Sequence, residues 1–257
     1  MGVGQVALLF VFCSLAIYVA YIPYGIFQEA IMSHKDSNGQ KFHFPITLLL
    51  AQVTAHVVMS GAATYMLGEK KETIPMKEAW MPGFTFVTAM FFSNLALQYV
   101  SYPMQALAKS SKMIPVMIGG LLFRSEKYSL LQYMQVALVT MGISIFQWKS
   151  GGSKSDNIHG VLLLLLSLVM DGLTGPNQKQ ITAKTRCTSF QLMFACNVWA
   201  FLLLVVGLVF PEYGEGLDGI HFLLREENFS LLVDVLLFAT CSALGSSAIF
   251  FTLRKLG

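Results

Sequence analysis

A chain of 257 residues that is 55% hydrophobic and 12% charged, with a mean hydropathy of +0.62, has the composition of a protein that lives in a bilayer. A soluble globular domain carries about twice that share of charge. The net charge of +3 is too small to gather nucleic acid, and the four cysteines Cys13, Cys187, Cys196 and Cys241 are dispersed without a CxxC or a histidine at metal spacing. No metal, cofactor or disulfide framework is therefore expected.

The residues from Gly2 to Gln5 lack a basic n-region, so the first apolar run reads as a retained helix and not as a leader. Val6 stands where a myristoylation signal needs Ser or Thr. Apolar runs of membrane-spanning length extend approximately from Gln5 to Phe27, Phe44 to Leu67, Trp80 to Val100, Pro103 to Phe123, Leu130 to Trp148, Ile158 to Pro176, Phe190 to Phe210 and Leu231 to Leu253. The expectation is an all-α polytopic helix bundle of about eight spans with short connections.

Lysine and arginine sort strongly by side. Counting the N-terminus and every second loop together gives Lys70, Lys71, Lys77, Arg124, Lys127, Lys179, Lys184, Arg186, Arg254 and Lys255. The opposite side has Lys35, Lys41, Lys149, Lys154 and Arg225, so the positive-inside rule puts the N-terminus in the cytosol. The acidic loop from Pro211 to Ser230 then faces the lumen or exterior. Its glycosylation sequon Asn228-Phe-Ser230 lies almost against the next span and is expected to be unused.

Lys109 and Lys112 are the remaining basic residues, and both lie inside the fourth apolar run. At 1.5 Å per residue they sit about 9 and 14 Å from its start. A separation of three residues puts them on one helix face, one turn from Gln105, with Ser110 and Ser111 beside it. An intramembrane cation costs about 3 kcal/mol or more, so two adjacent ones call for an anion or water, and phosphate is the favoured ligand. Paired snorkelling to the interface is the competing reading.

Other polar residues at membrane depth are few. Gln52 and His56 fall in the second span, Ser93, Asn94 and Gln98 in the third, and Asp171 in the sixth. A mid-helix carboxylate must be neutral or paired, which makes a lysine on a facing helix the natural partner of Asp171. Glu29 stands at the non-cytosolic end of the first span as a second candidate counter-charge. His56 alone on an apolar helix reads first as a hydrogen-bonded packing residue. Asn94 and Gln98 read equally as helix-to-helix bonds or ligand contacts. Dispersed single residues of this kind do not make the carboxylate cluster or His–Asp pair of a membrane transferase or hydrolase.

The run Ala96-Leu-Gln-Tyr-Val-Ser-Tyr-Pro-Met-Gln-Ala-Leu-Ala-Lys-Ser-Ser-Lys-Met-Ile-Pro-Val-Met117 resembles the third-to-fourth helix signature of nucleotide-sugar transporters in solute carrier family 35, subfamily B. Tyr24-Gly-Ile-Phe-Gln-Glu29, Leu168-Val-Met-Asp-Gly-Leu-Thr-Gly-Pro-Asn-Gln178 and Cys241-Ser-Ala-Leu-Gly245 extend the likeness over nearly the whole chain. The nearest group resembles the endoplasmic-reticulum branch, described as UDP-galactose/UDP-glucose transporters or ATP/ADP exchangers.

The resemblance implies the drug/metabolite transporter fold, with ten helices in two inverted five-helix repeats. Residues 1–150 match the first repeat, and residues 151–257 match three helices of the second, so about eight of ten helices are expected. It also implies an antiporter of the endoplasmic reticulum or Golgi membrane. Lys109, Lys112, Gln105, Asn94, Gln98 and Tyr102 are expected at the substrate, with Tyr99 and Phe91 as further stacking candidates. Glu29 and Asp171 are expected as gating or charge partners.

Overall fold

The computed structural model describes residues 3–35, 39, 42–69, 74–111, 113–122, 129–150, 158–209 and 217–256. Ten α-helices occupy them: α1 (Val3–Ser33), α2 (Pro45–Met66), α3 (Trp80–Ala96), α4 (Tyr102–Ser110), α5 (Met113–Leu122), α6 (Leu130–Ser150), α7 (Ile158–Thr185), α8 (Ser189–Val209), α9 (Asp218–Leu223) and α10 (Phe229–Leu256). A 3-10 turn at Glu226–Asn228 leads into α10. Among the described residues there is no strand.

Five of these helices, α1, α2, α7, α8 and α10, are long and apolar enough to cross a membrane by length and composition. They correspond to the first, second, sixth, seventh and eighth expected spans. The third and fifth expected spans contain α3 and α6. The fourth differs from the expected continuous helix, because α4 ends at Ser110 and α5 starts at Met113. Pro115 supplies the cause: it has no N–H for the carbonyl four residues back, and its ring collides with that carbonyl, which belongs to Ser111. Prolines also start helices here, with Pro45 and Pro103 in the first turns of α2 and α4.

The chain packs as two compact units. The first comprises Met1–Trp80 and Thr185–Gly257, the second Met81–Lys184. In the first, α1 lies along α10, and α2 packs against both α8 and α10. Its core is Ile31, Phe42, Leu48, Phe222, Leu223, Leu231, Val235 and Phe238, with Tyr24 stacked on Phe238 at 4.6 Å between ring centroids. Gly245 lets α10 meet α1, since a Cβ there would be 2.5 Å from the Tyr21 ring. Two side-chain devices hold the ends. Thr188 and Gln191 form a reciprocal capping box at the start of α8, and the Thr188 hydroxyl also donates to the Glu69 carboxylate. At the other end, the fully buried Asn228 amide donates to the Phe222 carbonyl, while its oxygen accepts from the His34 ring.

The second unit is built on α7. Its Ser167 hydroxyl donates to the Ala89 carbonyl at 2.7 Å, and its Thr174 hydroxyl meets Thr85 at 2.8 Å, which fixes α7 against α3. Ala96, Val100 and Leu164 form an apolar cluster near the turn between α3 and α4. Glycines permit the close approach. A Cβ on Gly160 would be 2.6 Å from Val100, and one on Gly172 would be 2.5 Å from the Pro115 carbonyl oxygen.

Candidate functional site

Within the second unit, α4 presents Lys109 and α7 presents Asp171. The Lys109 ammonium donates to Asp171 Oδ2 at 3.3 Å, and the two side chains are 29% and 20% exposed. The pair is therefore neither sealed nor free in solvent. It is sheltered enough for each charge to depend on the other, and open enough for one partner to be exchanged. α4 ends at Ser110, one residue beyond Lys109, so Lys109 lies in the last turn of a helix, where unsatisfied carbonyls favour a cation.

Gln105, one turn before Lys109, is buried, and its amide nitrogen donates to both the carbonyl and the hydroxyl of Ser93, each at 2.9 Å. This bond ties α4 to α3 and positions the lysine. Asn94 is buried on α3 next to Ser93. Tyr102 opens α4 and is partly buried, while Gln98 and Tyr99 are exposed in the turn after α3. Phe91 packs on Phe92 with the rings tilted at 57° and 5.7 Å between centroids. Lys112 lies outside the described residues. Glu29 belongs to the first unit and is exposed near the end of α1. Within the second unit, Asp171 is the candidate charge partner that lies on Lys109.

The first unit contains a second polar cluster. Asn197 donates its amide to the Met193 carbonyl at 2.7 Å, so its oxygen faces His56 and accepts from Nδ1–H at 3.2 Å. His56 Nε2 is then the acceptor for the Ser242 hydroxyl at 2.9 Å, and Ser242 in turn accepts from the Gln52 amide at 2.6 Å. A one-way chain thus links α2, α8 and α10, and all four side chains are buried. His56 is the hydrogen-bonded packing residue that its apolar surroundings imply. Its partners Asn197 and Ser242 carry no sequence signal beyond being polar residues in apolar helices, although Ser242 falls in the Cys241–Gly245 motif.

The UAA transporter family model matches residues 9–257. The chain is 35% identical over 256 residues to Solute carrier family 35 member B1 of Xenopus tropicalis, which covers 95% of this chain and 77% of that protein. It is 36% identical over 257 residues to the Gallus gallus protein of the same name, with the same two coverages. The Dictyostelium discoideum protein of that name is 33% identical over 258 residues, covering 97% of this chain and 65% of that one. These relatives are named as solute carriers and not as enzymes. A helical membrane protein with a sheltered cation on its broken fourth apolar segment, matched from residue 9 to residue 257, belongs to the UAA transporter family.

Proposed function

We propose that this chain is an antiporter that exchanges a nucleotide sugar, UDP-galactose or UDP-glucose, for a nucleotide across the endoplasmic reticulum membrane by alternating access. The observation that carries the reading is the Lys109–Asp171 pair. In the resting state Asp171 neutralises Lys109. A diphosphate brings more negative charge and more acceptor oxygens than one carboxylate, so it displaces Asp171 and takes the ammonium, with Lys112 as the second cation. Gln105 holds α4 in place through Ser93, and Asn94, Gln98 and Tyr102 are the nearby candidates for ribose and base.

Obligatory exchange follows from the same electrostatics. A lysine pair crossing the occluded state without a counter-ion meets the full desolvation cost of an intramembrane charge. A nucleotide carried in each direction removes that cost. In this reading the chain is organised as inverted repeats, 1–150 and 151–257, with the site near the midplane and the N-terminus in the cytosol.

The test is counterflow in proteoliposomes containing this chain, preloaded with UMP or ADP and given labelled UDP-galactose, UDP-glucose or ATP outside. The expected result is saturable uptake that requires the preload. Uptake of ATP in preference to both UDP-sugars would move the assignment to ATP/ADP exchange at the same lysines. Uptake independent of preload would refute exchange, and absence of uptake would support a noncatalytic membrane scaffold.

A further inference from the structure

The connection between α2 and α3 turns back into the first unit. Thr188, at the head of α8, holds Glu69, so the chain leaves α2 level with the start of α8. At Met76 it is much deeper: the Met76 carbonyl accepts from Trp199 Nε1–H at 2.6 Å, and Trp199 is the middle residue of α8 (Ser189–Val209). Trp199 is about 15 Å along the axis from Ser189, and a helical side chain leans back toward the helix start by up to about one turn, which leaves Met76 about 10 Å inside the span. The α2 side agrees. Asn197, two residues before Trp199, faces His56, and His56 is about 15 Å from the Met66 end of its own helix. Pro75 is buried and Ala79 fully so, which packs this segment onto the unit before α3 begins at Trp80.

Backbone at that depth must be satisfied by protein or by water. Residues 76–79 form turns, closed by Met76 N–H to Ile74 O at 2.9 Å and Ala79 N–H to Pro75 O at 3.0 Å. Between them, the N–H groups of Lys77 and Glu78 have no partner among the described residues. Lys77 is exposed and, among the described residues, has no ion pair; the neighbouring Glu78 is partly buried and is not within ion-pair distance of it. Against hydrocarbon, an unpaired ammonium and two unpaired N–H groups would each carry a large desolvation cost. Snorkelling would rescue the ammonium alone and leave both N–H groups dry. Water at the segment itself satisfies all three.

We propose that residues 75–79 line a water-filled vestibule entered from the α8 N-terminal side, and that Lys77 in it captures the phosphates of the incoming nucleotide. The vestibule follows from the packing on α8, whereas the nucleotide as its occupant rests on the exchange reading above, in which that side is the cytosol. A compact, mobile ammonium in a water-filled recess with low-dielectric walls concentrates an anionic substrate before it is bound. The Trp199 bond to Met76 O holds that cation at depth.

The experiment labels cysteines introduced singly into the full chain in lipid nanodiscs, with a small cationic methanethiosulfonate and with a polyethylene glycol maleimide too large for a vestibule. The positions are Lys77→Cys; Val58→Cys, 62% exposed on α2 near the level of His56; and Lys184→Cys, exposed in the last turn of α7. The unsubstituted chain, with Cys13, Cys187 and Cys196 buried, sets the background. Lys184→Cys is expected to take both reagents and Val58→Cys neither. Lys77→Cys is expected to take the small one alone, about tenfold or more faster than Val58→Cys, because an apolar setting keeps a thiol protonated and unreactive. Labelling of Lys77→Cys no faster than Val58→Cys would overturn the vestibule, and so would its labelling by the polymer, which would make the segment a surface loop. Capture is read in counterflow: Lys77→Gln is expected to raise the half-saturating nucleotide concentration about fivefold at an unchanged maximal rate, and Lys77→Arg to restore it. An unchanged half-saturation in Lys77→Gln would overturn capture. A parent chain that does not exchange would fail the exchange reading instead, and the labelling pattern would still decide the vestibule.

Discussion

Replacing Gly172 by alanine tests how the lysine site is held together. The added Cβ would stand 2.5 Å from the Pro115 carbonyl oxygen, 2.6 Å from its carbon and 2.9 Å from its Cβ, whereas ordinary contact begins at 3.4 Å. The two nearest of these atoms are backbone and the third belongs to a proline ring, so no side chain can swing aside, and α7 must back away from α5 by about 0.9 Å in a close-packed region. Overpacking of this kind costs about 1–3 kcal/mol. In a protein of this size that lowers the melting midpoint by roughly 2–12 °C.

Asp171 is the adjacent residue, and its oxygen is 3.3 Å from Lys109, so the same displacement carries it toward or past the 4 Å limit of an ion pair. The assay is thermal unfolding of the purified protein, with Gly142→Ala as the control. A Cβ at Gly142 meets nothing within 4 Å, and alanine is the better helix former, so no loss is expected there. Equal midpoints for the two variants would refute the claim that α7 and α5 are in backbone contact at Gly172.

Asp171→Asn leaves Lys109 without its counter-charge, and a loss of about 1–3 kcal/mol is expected by thermal melting; combining it with Lys109→Gln should cost less than the sum of the single changes. Ser242→Ala strands both the Gln52 amide and His56 Nε2 in a buried site, with an expected cost of roughly 2 kcal/mol or more. Ser246→Ala breaks only a partly buried 3.3 Å bond to Tyr21 and should cost under about 1 kcal/mol, a difference that the same melts would show. Asn228→Gln should lower stability by about 1–2 kcal/mol, because the amide joins His34 to Phe222 O in a fully buried position. The parent protein made in eukaryotic cells should show no mobility change after enzymatic deglycosylation.

Helix content and the lysine–carboxylate pairing were legible before any coordinates, because the bilayer makes both nearly compulsory. Runs without charge at spanning length must be helical, and a carboxylate such as Asp171 must find a cation. Span counting looked past the break at Ser111, even though Pro115 announces it four residues later; hydrophobic length reports thickness and not continuity. It also stopped α7 at Pro176, whereas the helix continues to Thr185, since polar residues can extend a helix beyond the apolar run. Gln105 could be placed on the lysine face from spacing alone. That its amide is held by Ser93 follows from how α3 meets α4, and no single-helix pattern contains that. The same holds for Asn197 and Ser242, each unremarkable on its own helix until His56 is brought between them.

The central claim is that Lys109 and Lys112 are the cations that carry the nucleotide phosphates through the membrane. The most direct measurement is preload-dependent counterflow by Lys109→Gln and Lys112→Gln, singly and together, after confirming that each variant inserts and melts cooperatively. The account predicts that the double variant is inactive with every substrate that the parent exchanges. Undiminished exchange by a folded double variant would contradict it.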